Sequence, residues 1–130
     1  MKTYSSYRYL GGIVGSNKAG TIQNATFTGT ITEKNGSAGN CYGGIAGINK
    51  ARLSSCKVGT IYMNINGVYT ATSTSTAEQK EKMATHAGGV AGKNESDAVI
   101  TGCTIANDTK SQLIAKYGML GGITGYNKGL

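Results

Sequence analysis

The sequence predicts an all-β chain: a parallel β-solenoid, or β-helix, of about four repeats of roughly 32 residues, with one insertion that holds a hairpin and a short helix. Three observations lead to this fold class. The composition is rich in glycine and threonine and has no proline. A seven-residue pattern occurs four times, and the sequence between its copies lacks the 3.6-residue apolar periodicity of helices.

The composition favours strands over helices and over disorder. Leu, Ile, Val and Phe make up only 22 of 130 residues, which is few for a conventional core. Charged residues make up 15% of the chain, so the charge-rich composition of most disordered proteins is missing. The 21 Gly, 16 Thr and 10 Asn suit closely wound β structure with many turns, whereas long helices would need more Ala, Leu, Glu and Lys.

The charge and apolar distributions argue against two classes of partner. The net charge is +7, but the cations are spread from Lys2 to Lys128 without a run of five. No apolar stretch approaches the ~20 residues that a membrane span needs, and the first ten residues lack the apolar segment of a signal peptide. We therefore expect no nucleic-acid partner and no membrane span.

The repeated pattern reads Gly-Gly, then Ile or Val, any residue, Gly, any residue, Asn. Its second glycines are 32, 45 and 33 residues apart, so a unit of about 32 residues carries one insertion. The copies occupy residues 11–17, 43–49, 88–94 and 121–127.

A second block follows the first three copies, at 22–27, 53–58 and 100–105. It reads apolar, two small or polar residues, Ala or Cys, one polar residue, apolar, so each unit contains at least two short strands joined by a turn. We expect a single domain over residues 1–130, with an insertion at about 62–87. Its repeats lie at about 11–42, 43–87, 88–120 and, in part, 121–130.

The length of the period narrows the architecture. Solenoids, propellers and helical arrays repeat every 20 to 50 residues. The lack of helical periodicity excludes the arrays, and a propeller blade needs about 40 residues and four strands. A parallel β-solenoid remains, in which equivalent residues of successive turns stack about 4.8 Å apart.

Stacking explains which residues recur. Isoleucine or valine after each glycine pair would form an inward apolar column, as would Phe27, Val58 and Ile105. The motif asparagines would form an amide ladder at a turn. The glycines would occupy corners, where the backbone needs a positive φ or where neighbouring turns approach closely. These structural residues are Gly12, Ile13, Gly15, Asn17, Gly44, Ile45, Gly47, Asn49, Gly89, Val90, Gly92, Asn94, Gly122, Ile123, Gly125 and Asn127, joined by the cysteines of the second block, Cys56 and Cys103.

The stretch "GGIVGSNKAGTIQNATFTGTI" at residues 11–31 resembles the GLUG motif, a repeat of bacterial surface proteins that include adhesin-like proteins. The resemblance extends to 43–61, 88–105 and 121–130, although Ile or Val replaces Leu throughout and "NESDAVI" lacks the usual glycine. It implies a β-solenoid segment of a cell-surface or secreted, extracellular bacterial protein. It implies no catalytic residue and no cofactor.

The residues that could carry chemistry form no recognisable site. The stretch 11–20 lacks the first glycine of a dinucleotide-binding fingerprint and the Gly-Lys-Ser/Thr of a Walker loop. Cys41, Cys56 and Cys103 have no metal-ligand spacing, and we expect Cys56 and Cys103 to be free buried thiols in one narrow column. His86, the single histidine, holds the position before its glycine pair that Cys41 holds in the preceding repeat. We predict no catalytic, metal-binding or cofactor-binding residue and no enzyme.

The insertion at 62–87 is the candidate binding region. Asn66-Gly67 between apolar residues predicts a hairpin, and Thr76 with Gln79 predicts a capping box that begins a short helix. Insertions of solenoids lie on the surface and often form the binding face, for a host protein or a glycan. The candidate binding surface consists of Tyr62 and Tyr69.

These expectations describe a non-catalytic structural or adhesive module that displays surfaces to a partner. Two alternatives remain open. The segment 4–9 ("YSSYRY") aligns with 53–58, and the chain stops after "GGITGYNKGL", which would let subunits associate head to tail as a fibre. A carbohydrate-active solenoid enzyme would need acidic residues clustered on one face, which the sequence does not supply.

Overall fold

A computed structural model describes residues 9–33, 39–66, 74–106, 108–116 and 118–130. These residues form fifteen strands and one short helix. In chain order the elements are β1 (Tyr9–Gly11), β2 (Val14–Asn17), β3 (Thr21–Gln23), β4 (Thr26–Glu33), β5 (Cys41–Gly43), β6 (Ala46–Asn49), β7 (Arg52–Ser54), β8 (Lys57–Asn66), α1 (Ala77–Met83), β9 (Thr85–Gly88), β10 (Ala91–Asn94), β11 (Val99–Thr101), β12 (Thr104–Ile105), β13 (Gln112–Lys116), β14 (Gly118–Gly121) and β15 (Thr124–Asn127).

The strands form four sheets, and each sheet takes its strands from successive motif copies. We call the strand sets copy 1 (β1 to β4), copy 2 (β5 to β8), copy 3 (β9 to β13) and copy 4 (β14 and β15). The sheet orders are β1-β5-β9-β14, β2-β6-β10-β15, β3-β7-β11, and β4-β8 with β12 and β13 on the other side of β8. Every one of these pairings is parallel. The predicted all-β class with parallel strands is confirmed.

The register of the strands reproduces the register of the sequence repeat. In the first sheet Gly11 lies beside Gly43, Gly43 beside Gly88, and Gly88 beside Gly121. In the second sheet the four motif asparagines lie side by side in the same order. Equivalent residues are therefore neighbours in space.

The core lies between the sheets and is best closed in the two middle copies. Ile45 and Val90, which follow the glycine pairs of copies 2 and 3, are fully buried. The ends of this column are less well covered, because Ile13 is 43% exposed and Ile123 is 36% exposed. Each of these two residues has a neighbouring copy on one side only.

The second block follows the same rule. Cys56 is buried, whereas Ala25 and Cys103 on either side of it are only partly buried. Phe27 and Ile105 lie in register with the fully buried Val58 and are themselves half-buried. The expectation of two buried thiols in this column therefore holds for Cys56 and is wrong for Cys103, over which no equivalent residue of copy 4 is stacked.

In the first three copies, the motif glycines are required by close approach and not by a positive φ angle. A Cβ on Gly12 would overlap the carbonyl oxygen of Gly44, and one on Gly44 would overlap that of Gly89. The φ angles of these glycines lie outside the left-handed region. Left-handed backbone occurs instead in the second block, just before the small-residue column, at Asn24 (φ 55°), Ser55 (φ 52°) and Gly102 (φ 62°).

The insertion begins later than the sequence predicts. β8 continues to Asn66; its residues 62–65 pair with both β4 and β13 and Asn66 pairs with β13, so they belong to a sheet. The cause is an alternating pattern in which Ile61, Met63 and Ile65 are buried. The predicted hairpin at Asn66-Gly67 lies outside the described residues from Gly67 onward.

The short helix begins as predicted. The backbone N–H of Gln79 donates to Thr76 Oγ1 at 3.1 Å, and the backbone N–H of Thr76 donates to Gln79 Oε1 at 2.9 Å, which completes the capping box before α1. Within the described parts of the chain, no helix combines the length and the apolar character needed to cross a bilayer.

Candidate functional site

The motif asparagines form a continuous ladder of side-chain hydrogen bonds. Asn17 Nδ2 donates to Asn49 Oδ1 at 2.9 Å, and Asn49 Nδ2 donates to Asn94 Oδ1 at 2.8 Å. Asn94 Nδ2 then donates to Asn127 Oδ1 at 2.9 Å. All three bonds run in the same direction, from the earlier copy to the later one.

The ladder is also tied to backbone carbonyl groups of the turns that follow the asparagines, either in the next copy or in the same one. Asn49 Nδ2 lies 3.2 Å from the carbonyl oxygen of Val99, and Asn94 Nδ2 lies 3.3 Å from that of Ala98. Both asparagines are fully buried. Buried amides whose hydrogen bonds are satisfied within the chain stabilise the fold, so these two middle asparagines are structural and offer no group to a ligand.

Tyr62 lies at the centre of an exposed surface on the outer side of the β4-β8-β13 sheet. Thr30 and Gln112 flank it in register on the neighbouring strands. The next outward row consists of Thr32, Asn64 and Ile114. We call these six residues the Tyr62 face. All six are exposed, because the residues between them on each strand point inward.

The Tyr62 face borders an open groove of about 670 Å³. Thr32, Glu33, Tyr62, Asn64, Asn66 and Ile114 are among its lining residues. Asn64 Nδ2 donates to the Tyr62 hydroxyl at 3.3 Å, which helps to hold the ring in place. The groove thus offers an aromatic ring, amides, a hydroxyl and a carboxylate together. Tyr69, the other predicted surface residue, lies outside the described residues.

A second cavity, of about 290 Å³, lies beside the first sheet and is lined by Cys41 and His86. Cys41 Sγ is 3.8 Å from His86 Nδ1, and both residues are buried. The sequence places these two residues at equivalent positions, and the register confirms that they are neighbours. Tyr9, Lys93 and Glu95 are also among the residues lining this cavity.

Two residues around this cavity are not identified by the sequence reasoning. The Tyr126 ring lies 5.4 Å from the His86 ring, and the Lys93 ammonium lies 5.8 Å from the Tyr126 ring centre. Lys93 also forms an ion pair of 3.1 Å with Glu95. A signal does exist: Lys93 and Tyr126 occupy the variable position between Gly and Asn in the motif. The motif positions whose residue varies between copies therefore identify this cavity better than the positions that carry the same residue in every copy.

The three cysteines are free thiols. Cys56 Sγ is 3.5 Å from the carbonyl oxygen of Ile22. Burial raises the pKa of the Cys103 thiol above its usual 9.0, so Cys103 is protonated at neutral pH. Thiolate chemistry is therefore disfavoured there. No three His, Cys, Asp or Glu side chains cluster as metal ligands in the parts of the chain that the structure covers.

The comparison with known families identifies one copy of the repeat. The chain is an all-β protein built from parallel sheets whose strands recur with the sequence motif. The family model of the GLUG motif matches residues 6–32, so the chain carries a GLUG motif over that stretch. No curated protein and no solved structure matches the chain significantly.

Proposed function

We propose that the four sheets are the walls of a β-solenoid of four repeats, and that this solenoid is a non-catalytic module that displays the Tyr62 face to glycans. The parallel pairing supports the solenoid, since each sheet receives its strands in the order of the motif copies. A wall of this kind is stiff, because each strand is held by strands of the copies beside it.

The observation that carries the glycan proposal is the composition of the Tyr62 face. Tyr62 is 36% exposed and is held by Asn64, so its ring is available for stacking at little cost in side-chain entropy. Hydroxyl and amide groups of Thr30, Thr32 and Gln112 lie on the adjacent strands, where they can bind sugar hydroxyls. The apolar edge of a sugar ring fits against Tyr62 and Ile114.

The GLUG motif supports a setting for such a module. Its resemblance implies a bacterial protein of the cell surface or one that is secreted, where glycans and host surfaces are the available partners. The net charge of +7 favours anionic polysaccharides over neutral ones, because long-range attraction raises their local concentration.

Binding to immobilised anionic and neutral polysaccharides tests the proposal. We expect a Tyr62→Ala variant to bind about tenfold more weakly, which is the loss of roughly 1.4 kcal/mol expected for one stacking contact. Tyr9→Ala is the matched control, since Tyr9 is 38% exposed and lies on a different sheet. Equal binding by wild type and Tyr62→Ala, or the release of new reducing ends from the polysaccharide, would contradict the proposal.

A further inference from the structure

Two surfaces at opposite ends of the stack of copies carry equivalent residues. One is the outer side of β1 and β2, which we call the β1-β2 edge. The other is the outer side of β14 and β15, the β14-β15 edge. We propose that the β14-β15 edge binds the β1-β2 edge of a second copy of this chain, head to tail and in the same orientation. This proposal is independent of glycan binding.

Both edges expose apolar side chains that are buried in the middle copies. Leu10 and Leu120 are each 44% exposed, whereas Tyr42 and Ala87, which lie between them in the same row, are at most 1% exposed. Ile13 and Ile123 are likewise exposed at the ends of a column whose middle members are fully buried. A second chain at either edge would bury these residues as the middle copies bury theirs.

The asparagine ladder has a direction, and this makes its two ends complementary. Because each asparagine donates to the next copy, the ladder presents the Asn127 amide N–H groups at the β14-β15 edge. At the β1-β2 edge it presents the Oδ1 acceptor of Asn17, whose Nδ2 already donates to Asn49. A donor at one edge and an acceptor at the other fit head to tail, whereas two identical edges would bring donor to donor or acceptor to acceptor.

The corner glycine of the last copy has open space where the other corner glycines have a neighbour. A Cβ on Gly12, Gly44 or Gly89 would overlap the carbonyl oxygen of the corresponding glycine in the next copy. Beside Gly122, nothing lies within 4 Å of an added Cβ. By the same spacing, the Gly12 carbonyl of a second chain would occupy this space.

These three features favour a second copy of this chain, and not an unrelated strand, as the binding partner of the two edges. The two edges are parallel and belong to the same sheets, so one step of the repeat carries one edge onto the other. Such a contact does not close on itself, and it generates open filaments and not only dimers. Within the described residues, β1 and β14 are the terminal strands of the first sheet, and β2 and β15 are those of the second.

Analytical ultracentrifugation of the chain, from micromolar to millimolar concentration and in moderate salt to screen the net charge of +7, tests the proposal. We expect the average mass of the wild type to rise with concentration from 13.4 kDa beyond that of a dimer. A Gly122→Ala variant has room for its methyl group within the monomer, so it should unfold at the wild-type temperature. It should remain a monomer, because the methyl group blocks the second chain.

A second variant tests the hydrogen bond of the asparagine ladder separately from the steric effect of Gly122→Ala. Asn127→Asp keeps the acceptor that Asn94 and the backbone N–H of Gly129 use, at 2.9 and 3.2 Å, and it loses the donor. We expect its association constant to fall at least tenfold, whereas Asn66→Asp, a matched change of charge at the exposed end of β8, leaves the constant unchanged. A wild type that stays monomeric at every concentration, or assembly that is insensitive to both Gly122→Ala and Asn127→Asp, would overturn the proposal.

Discussion

At the scale of single residues, the buried amides of the ladder are the costliest side chains to replace. Asn49 both accepts from Asn17 and donates to Asn94, and it is fully buried. Asn49→Leu leaves Oδ1 of Asn94 without its donor and Nδ2 of Asn17 without one of its acceptors. We expect the free energy of unfolding to fall by about 2 to 3 kcal/mol, as measured by chemical denaturation. The control is Asn127→Leu at the exposed end of the ladder, and an equal loss in both variants would show that burial is not the cause.

Asp108 gives a pH dependence of known sign. Hydrogen bonds from Thr60, at 2.7 Å, and from the backbone N–H groups of Ser111 and Lys110 lower the pKa of its exposed carboxyl below the usual 3.8. A lowered pKa in the folded state stabilises the protein above the unfolded pKa, and this stabilisation disappears as the pH falls through the folded value. Asp108→Asn should therefore lower the unfolding temperature at neutral pH. The difference from wild type should shrink as the pH drops below 3.8 and the wild-type carboxyl becomes protonated.

The matching control for Asp108 is Asp97→Asn, which removes a charge at another exposed turn. If the two variants gave the same pH profile, the loss of a negative charge alone would account for the effect, and the contacts with Thr60 and Ser111 would not be its source.

What the sequence can predict at this scale depends on whether a residue is repeated. The ladder can be anticipated because the same asparagine recurs at a fixed position. The left-handed turn cannot, because Asn24, Ser55 and Gly102 share a backbone conformation and not a residue type. The Cys41 and His86 pair shows the same limit. The repeat predicts that these two residues are neighbours, but it does not predict the contact with the Tyr126 ring, which depends on packing between two sheets.

At the scale of elements, the close approach of strands at the glycine corners predicts a contrast between the middle and the end of a sheet. Gly44→Ala brings a methyl group against the Gly89 carbonyl and the Val58 side chain. We expect a loss of about 1 to 3 kcal/mol in the free energy of unfolding, the usual cost of overpacking. Gly122→Ala, with open space around the same position, should cost much less in dilute solution. Thermal unfolding of both variants checks this, and a similar loss in the two would contradict the role of close approach.

The boundaries of elements are less predictable than their class. The pattern of the repeat predicts parallel strands, and it misses that β8 continues to Asn66. The extra spacing of the second unit indicates an insertion, but the alternation of Ile61, Met63 and Ile65 extends the sheet into it. β13 then pairs with this extension, although the sequence of copy 3 gives no repeat signal there. Pairing with an existing strand decides where a β element ends.

At the scale of the whole molecule, the topology predicts slow folding, and the lack of proline predicts that no phase is limited by prolyl isomerisation. Every sheet joins strands from different copies, so no sheet is complete until distant segments meet. Chains dominated by such contacts fold in milliseconds to seconds. The sequence has no proline, so we expect stopped-flow refolding to lack a slow isomerisation phase. Sub-millisecond refolding, or a phase of tens of seconds that does not depend on protein concentration, would contradict this.

The uneven burial of the four copies has a consequence for how this sequence can drift over evolutionary time. A substitution at Ile45 or Val90 disturbs copies on both sides, whereas one at Ile13 or Ile123 disturbs a single neighbour. For the folding of a single chain, mutational tolerance should therefore rise from the middle of the stack towards its ends. We therefore expect such a gene to accept substitutions more readily in its outer units and to lengthen by duplication of a middle unit, which already packs against a similar unit on each side.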